Sequence, residues 1–428
     1  QAEAVRVARE MAPAGLVLGA LPEATAGAVA AAAAGAWAGG TLGLGCVVVG
    51  VAVERHDRVV LRAGRRLFRL TWAVVVALTV PAVCALFVEL PAWAGQLMLA
   101  SGPWGWGVQP LVAVTGGSAP LWIPAVLAQT ALLAVAGVWC AREVGRIPGE
   151  VLRRRARVAE SVAASVFSLD LRGAGRAIRA AHPGGGGVGV LWPLPRRRWL
   201  LVPWRDVTGL SRTPGRVVAA VSAVVFAVAV AARFAAGQPE LASPAEGPVS
   251  AQPSVLPAVL ALCALYFAAA QLVEPARVDS DDPRRAAQLP YSRAMLATWH
   301  AVVPVLVLIG CLLGAGAVGA ALGGVWSPGW TVLLLSSPAM VGGALVSGYR
   351  GAMPVQVMVG VETAFGNTVP LQMALWYLRG PLGALLPSVP VLVLALDRDA
   401  LGVSGVLLLP AAGAAGLLWA RRTARALP

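Results

Sequence analysis

Lysine is absent from this chain, and all 34 of its basic residues are arginines. A chain without lysine cannot supply the lysine that contacts the nucleotide phosphates in a Walker A loop. It also cannot form a Schiff base through a lysine, or use a Ser-Lys pair as nucleophile and base. Hydrolysis of ATP by a P-loop of its own, and every chemistry that needs a lysine, are therefore excluded for this chain.

Charge of either sign is also scarce. Charged residues make up 13% of the 428 residues, and hydrophobic residues make up 58%. Soluble domains contain about 25% charged and about 45–50% apolar residues. A chain of this length and composition cannot cover its apolar surface in water, so the lipid bilayer must solvate much of it. Because unpaired backbone groups are not tolerated in lipid, the long apolar runs predict an all-α, polytopic transmembrane helical bundle.

Residues that bind metals or perform catalysis are few. The five cysteines all lie in apolar runs without a C-x-x-C pair, which predicts neither disulfides nor a metal site. The three histidines belong to no H-E-x-x-H motif and no zinc-ligand spacing. His300 begins an apolar run, where a hydrogen bond across a helix interface is expected rather than a proton relay. We therefore assign no catalytic, cofactor-binding or metal residue, and we expect no enzymatic activity.

Nine apolar runs are long enough to cross about 30 Å of hydrocarbon. They divide the chain into a membrane region at 1–141, a basic segment at 142–216 and a second membrane region at 217–428. The runs are 27–53, 70–90, 121–141, 217–236, 255–273, 296–325, 330–347, 381–396 and 401–420.

Loops rich in arginine alternate with loops that have none. Residues 54–69 contain six arginines and residues 142–216 contain fifteen, whereas 91–120 and 238–253 contain none. Because cytoplasmic loops retain basic residues, this alternation predicts a multi-pass protein of the bacterial plasma membrane with a cytoplasmic C-terminus. It also starts the first run outside, so either residues 1–26 are exoplasmic or a tenth span precedes Gln1, and we favour the second interpretation. The net charge of +14 is then attributed to loops that face anionic lipid, and no nucleic-acid partner is expected.

The basic segment at 142–216 is too short and too polar for a core of its own. Its first part predicts one or two amphipathic helices, with Asp170 as the cap of the second. Its last part, 191–202, interleaves tryptophan with arginine, which predicts an interfacial helix that leads into the next span. The expected interfacial anchors are Trp192, Arg196, Arg197, Arg198, Trp199 and Trp204.

Two groups of charged residues are candidates for docking a cytoplasmic partner. The first lies in the basic segment and comprises Arg153, Arg154, Arg155, Arg157 and Asp170. The second is the loop between two spans, with a solvated turn as the alternative interpretation, and comprises Asp279, Asp281, Asp282, Arg284 and Arg285.

Four short motifs carry a resemblance to a known family. They are Ser168–Arg172 (SLDLR), 192–197 (WPLPRR), 282–290 (DPRRAAQLP), and the set Thr363, Gly366, Pro370, Arg379, Gly380 and Pro381. From Arg142 to the C-terminus the chain resembles a family of actinobacterial multi-span proteins that look like permease subunits of ABC-type exporters. The resemblance implies a non-catalytic membrane subunit that depends on a separate cytoplasmic ATPase, and ATP would bind to that partner. It implies no catalytic residue.

Two other functions stay open. The glycine-rich spans, with a G-x-x-x-G at Gly310 and Gly314, suit a structural or assembly subunit that packs against a second copy or against other membrane chains. A membrane-embedded enzyme is the third hypothesis. Its only candidate residues are Glu362, Asn367 and Arg379.

Overall fold

The computed structural model describes residues 13–56, 92–147, 193–235, 255–321, 327–351, 366–398 and 401–427, together with isolated residues between these ranges. The chain forms two compact units. The smaller unit comprises residues 1–62 and 90–156, and the larger unit comprises residues 63–89 and 157–428.

Four helices are described in the smaller unit. The two long ones are joined near their ends by an ion pair, in which Arg55 Nε donates to Glu143 Oε2 at 2.8 Å. Arg146 donates to the other oxygen of the same carboxylate at 2.6 Å. The helices are α1 (Pro13–Arg55), α2 (Ala92–Ala100), α3 (Pro103–Val114) and α4 (Trp122–Val144).

The larger unit contains the remaining described helices and a single short β-ladder between two-residue strands, β1 (Glu362–Thr363) and β2 (Gly366–Asn367). Its helices are α5 (Leu201–Arg212), α6 (Pro214–Ala235), α7 (Val255–Leu272), α8 (Glu274–Asp281), α9 (Pro283–Ala287), α10 (Arg293–Ala321), α11 (Pro328–Gly348), α12 (Val369–Arg398) and α13 (Val403–Arg425).

Among the described residues, eight helices are long and apolar enough to cross a membrane: α1, α4, α6, α7 and α10 to α13. Large apolar side chains on their outer faces are more than half exposed, such as Leu256 on α7, Leu306 on α10 and Leu407 on α13. Lipid is the solvent that suits such faces. The predicted all-α polytopic bundle is therefore confirmed. The eight helices coincide with eight of the nine predicted runs, and the run at 70–90 lies outside the described residues. The cytoplasmic position of the C-terminus stays a prediction.

Helix α11 is the central helix of the larger unit, because 72% of its most apolar stretch is buried, the largest share among the eight. Two adjacent glycines let its neighbours approach closely. A Cβ placed on Gly342 would lie 2.8 Å from the backbone carbon of Gly416 on α13. A Cβ placed on Gly343 would overlap the carbonyl oxygen of Gly380 on α12. Backbone contact of this kind, made possible by small residues, is a main source of helix association in lipid.

The G-x-x-x-G pair on α10 does not make contacts of this kind. A Cβ added to Gly310 or Gly314 would meet no described atom within 4 Å. The glycines that pack helices together in this unit are therefore those of α11, α12 and α13. The face of α10 that carries Gly310 and Gly314 is open.

The prediction of an interfacial helix at 191–202 is wrong about where the helix begins. Residues 193–197 are not helical, a 3₁₀ turn covers Arg198–Leu200, and α5 begins at Leu201. Pro193 and Pro195 explain the shift, because each lacks a backbone N–H and disfavours helical geometry in the residue before it. Arg196, Arg197, Arg198 and Trp199 are exposed, as expected of anchors, whereas Trp204 is partly buried and Trp192 lies outside the described residues.

Substitution by alanine is expected to affect stability differently at the closely packed Gly343 and at Gly310, which has no described neighbour. Gly→Ala in a helix interior raises stability by about 0.5–1 kcal/mol through helix propensity alone. Gly343→Ala is expected to lower the free energy of unfolding by about 1–3 kcal/mol, since the added methyl group overlaps the Gly380 carbonyl. Gly310→Ala is expected to be neutral or mildly stabilising. Denaturant unfolding of both variants in detergent micelles checks this, and equal shifts for the two would contradict the packing described here.

Candidate functional site

A group of buried charged side chains lies where α5, α8 and α10 meet. This charge cluster consists of Arg205 and Asp206 on α5, Asp279 on α8 and His300 on α10. Asp206, Asp279 and His300 retain only 1%, 4% and 2% of their exposed surface. Charged groups are almost never buried to this degree unless they are paired with one another.

The sequence of α5 explains why an aspartate faces inward. Val202, Asp206 and Leu210 are spaced four residues apart, so they lie on one face of the helix, and all three are buried. On α8, Glu274 and Asp279 are buried, whereas the neighbouring Asp282 is exposed. The two helices thus direct carboxylates toward the interior of the unit.

His300 lies between the two carboxylates. Its Nδ1 is 2.9 Å from both carboxylate oxygens of Asp206. Its Nε2 is 3.3 Å from Oδ2 of Asp279. The guanidinium of Arg205 pairs with the other oxygen of Asp279. One histidine therefore joins three helices, and the expectation that it forms a hydrogen bond across a helix interface is confirmed.

The geometry indicates the protonation state of His300. A neutral imidazole has a single N–H, so one of its nitrogens would face a carboxylate with a lone pair. Only the imidazolium directs an N–H toward both carboxylates, as a hydrogen bond to Asp206 and as an ion pair with Asp279. With His300 protonated, two cations balance two anions in a region shielded from water. Without that proton the cluster would retain an unbalanced negative charge.

Burial also affects the acids of the cluster and the nearby phenol. Burial raises the pKa of the Asp206 carboxyl above its ordinary value, and the charge of His300 opposes this rise. Burial and the two nearby aspartates raise the pKa of Tyr349, so its phenol remains neutral. The Tyr349 hydroxyl is buried and has no hydrogen-bond partner among the described residues.

A second set of polar contacts ties α8 to the spanning helices. Arg216 at the start of α6 donates to Gln271 at 3.3 Å and to Glu274 at 3.0 Å. Arg277 lies 3.8 Å from the other oxygen of Glu274. Ser280 donates to the carbonyl oxygen of Gly348, the last residue of α11, at 3.0 Å. Helix α8 is thus fixed to α5, α6, α7, α10 and α11.

The chemistry open to this arrangement is limited. Within the described part of the chain, no group of three or more His, Cys, Asp and Glu residues could hold a metal ion. The side chains of Asp206, Asp279 and His300 face one another and join α5, α8 and α10.

The structure corrects one predicted docking residue. Asp279 was expected on a surface loop, but it is buried in the charge cluster, because α8 is a helix whose inner face carries it. Asp281 is partly exposed, and Asp282 and Arg284 are exposed, as are Arg153 and Arg157 of the basic segment. Arg154, Arg155, Asp170 and the side chain of Arg285 lie outside the described residues.

The sequence interpretation missed Arg205, Asp206 and Tyr349. One signal was present, because Asp206 lies four residues from both Val202 and Leu210 and therefore shares their face of a helix. Val202 is fully buried with Ala286 and Leu296, so α5 packs as part of the larger unit.

Comparisons with protein-family models, with curated proteins and with solved structures give no match to this chain.

Removal of the charge of His300 is expected to destabilise the larger unit strongly. His300→Gln removes the cation that lies between the two buried carboxylates, and a broken buried ion pair costs about 3–5 kcal/mol. Asp206→Asn in the same chain restores the balance, so the double variant is expected to lose less than the sum of the two single losses, by about 0.5–3 kcal/mol.

The measurement is the free energy of unfolding of all three variants in detergent. Asp282→Asn is the matched control, because this exposed carboxylate lies one residue beyond α8 and its loss is expected to cost no more than about 0.5 kcal/mol. Strictly additive losses for His300→Gln and Asp206→Asn would contradict the coupling.

Proposed function

We propose that this chain is the membrane subunit of an ABC-type exporter, non-catalytic itself and driven by a separate cytoplasmic ATPase. The observation that carries the proposal is the attachment of short helices to the spanning bundle. Helices α5 and α8 are too short to cross a membrane, and the buried charge cluster fixes both to α10. A permease subunit needs short helices of this kind to receive the movement of an ATPase.

The attachment has the strength that such a role requires. Moving Asp279 away from His300 and Arg205 would break two largely buried ion pairs, and breaking a buried ion pair costs about 3–5 kcal/mol. Displacement of α8 is therefore expected to move α10 and, through Ser280 and Gly348, the end of α11. We place the docking face at the turn between α8 and α9, where Asp282 and Arg284 are exposed.

ATP hydrolysis has to be assigned to a partner, because the chain has no lysine for a Walker A loop. The outer faces of the spanning helices contact the lipid bilayer. The basic loops and the docking face are then cytoplasmic, as the positive-inside alternation predicts.

The open glycine face of α10 favours one alternative. Gly310 and Gly314 have no described neighbour within 4 Å of an added Cβ. A helix face of small residues such as this allows another helix to pack closely against it. Under this alternative the chain is a structural or assembly subunit, packed against a second copy or other membrane chains. The enzyme hypothesis rests on Glu362, Asn367 and Arg379, and of these side chains only that of Arg379 is among the described residues.

The test is purification of the tagged full chain from its native membrane, followed by identification of stoichiometric partners. The proposal predicts a partner with a Walker A motif whose ATPase activity increases when the two proteins are reconstituted together. The double variant Asp282→Arg/Arg284→Glu is expected to weaken that association at least about tenfold, because like charges would face each other at the contact.

A matched control is available at the other end of the bundle. Asp397 and Arg398 are exposed at the end of α12, where Leu396 packs near Gly329 in the first turn of α11. Asp397→Arg/Arg398→Glu makes the same two charge reversals and should leave the association unchanged. A stable complex with other membrane chains, without an ATPase and unaffected by ATP, would replace the exporter proposal with the structural one.

A further inference from the structure

Two arginines lie side by side where α11 ends and α12 approaches it. Arg350 Nη1 donates to the carbonyl oxygen of Tyr377 at 3.2 Å, and Arg379 Nη2 donates to the carbonyl oxygen of Arg350 at 3.3 Å. Each guanidinium also lies over an aromatic ring. Arg350 is 4.3 Å from the ring centre of Tyr377, and Arg379 is 3.9 Å from that of Trp376.

The arginine pair, Arg350 and Arg379, faces no carboxylate among the described residues. No described acidic side chain forms an ion pair with either residue, and their acceptors are backbone carbonyls. Nε of Arg379 is buried and has no acceptor among the described residues. Burial lowers the pKa of Arg350, and the positive charges of Arg379 and Arg277 lower it further. Arginine keeps its proton in proteins, so the pair carries two positive charges that repel each other.

An anion bound here would offset the repulsion between the two guanidinium groups, as acids do for two other partly buried arginines of the unit. Arg205 pairs with Asp279, and Arg216 pairs with Glu274. Stacking on Tyr377 and Trp376 holds the two guanidinium planes in fixed positions and leaves N–H groups at their edges. Planar N–H pairs of this kind bind phosphate oxygens in a bidentate manner.

The level of the arginine pair indicates the kind of anion. The apolar stretch of α11 ends at Gly348, two residues before Arg350. Arg379 reaches the backbone of Arg350, so both guanidinium groups lie just beyond the hydrocarbon edge of the larger unit. Lipid phosphates occupy this level, and tryptophan and tyrosine such as Trp376 and Tyr377 are enriched there.

We propose that Arg350 and Arg379 form a binding site for a phosphate group, supplied by the headgroup of an anionic phospholipid. Free phosphate offers the same chemistry, and the experiment below distinguishes the two sources. The site is separate from the charge cluster, and its existence does not depend on the exporter proposal.

The experiment measures ligand binding to the purified full chain in detergent by native mass spectrometry. The probes are phosphatidylglycerol, phosphatidylcholine and inorganic phosphate. Wild-type protein is expected to retain phosphatidylglycerol most strongly. Arg350→Gln and Arg379→Gln are each expected to weaken that binding about tenfold, since each removes charged hydrogen bonds to the phosphate. Arg422→Gln is the matched control, because Arg422 on α13 is an exposed arginine outside both the arginine pair and the docking face, and this variant should bind phosphatidylglycerol as the wild type does.

Conservative variants guard against loss of folding. Arg379→Lys keeps the charge but loses the planar fork, so intermediate affinity with an unchanged unfolding midpoint supports the proposal. Displacement of the lipid by millimolar inorganic phosphate would support the phosphate site and assign it to a soluble ligand. Equal binding by wild type, both glutamine variants and the control would overturn it. Equal retention of phosphatidylcholine and phosphatidylglycerol by the wild type, unaffected by the variants, would also overturn it.

Discussion

Two carboxylates in the interior of the larger unit, those of Asp206 and Asp279, can stay there only while cations oppose them. Arg205 supplies one positive charge, and a protonated His300 supplies the other. This charge balance links three helices, because the four residues come from α5, α8 and α10. One imidazolium thus contributes to the position of two short helices against the spanning bundle. The penalty for an unbalanced buried charge is what keeps the three helices together.

The spanning helices are held by a different force. Where α11 crosses α12 and α13, the backbones of Gly342 and Gly343 lie against those of Gly416 and Gly380, and attraction there comes from close packing rather than from charge. A hydrophobic driving force between helices is weak in lipid, so packing of this kind has to be close. The larger unit is therefore held together in two ways, by glycine contacts between the spanning helices and by ion pairs at the ends of these helices.

The sequence predicted the bundle well, because apolar runs of about 20 residues identify spanning helices directly. The prediction from sequence failed for residues whose surroundings are set by contacts between distant parts of the chain. Asp279 lies in a stretch as polar as any solvated turn, and only the fold shows that one face of α8 is covered. Asp206 was hidden in a segment assigned to the membrane interface. The G-x-x-x-G of Gly310 and Gly314 matched a packing motif, yet the packing glycines proved to be on α11, α12 and α13, since a motif does not specify its partner.

The end of α11 lies next to α8, the charge cluster and the arginine pair. Ser280 of α8 donates to Gly348, Tyr349 follows beside the charge cluster, and Arg350 begins the arginine pair. A partner that displaces α8 would act on this short stretch, and so would a phosphate bound at Arg350 and Arg379. The docked partner and the bound phosphate would therefore both act on the same end of α11. Any effect of one on the affinity of the other has to be reciprocal. If ATPase docking moves α8, anionic lipid is expected to change the affinity of docking, and docking to change the affinity for lipid by the same factor.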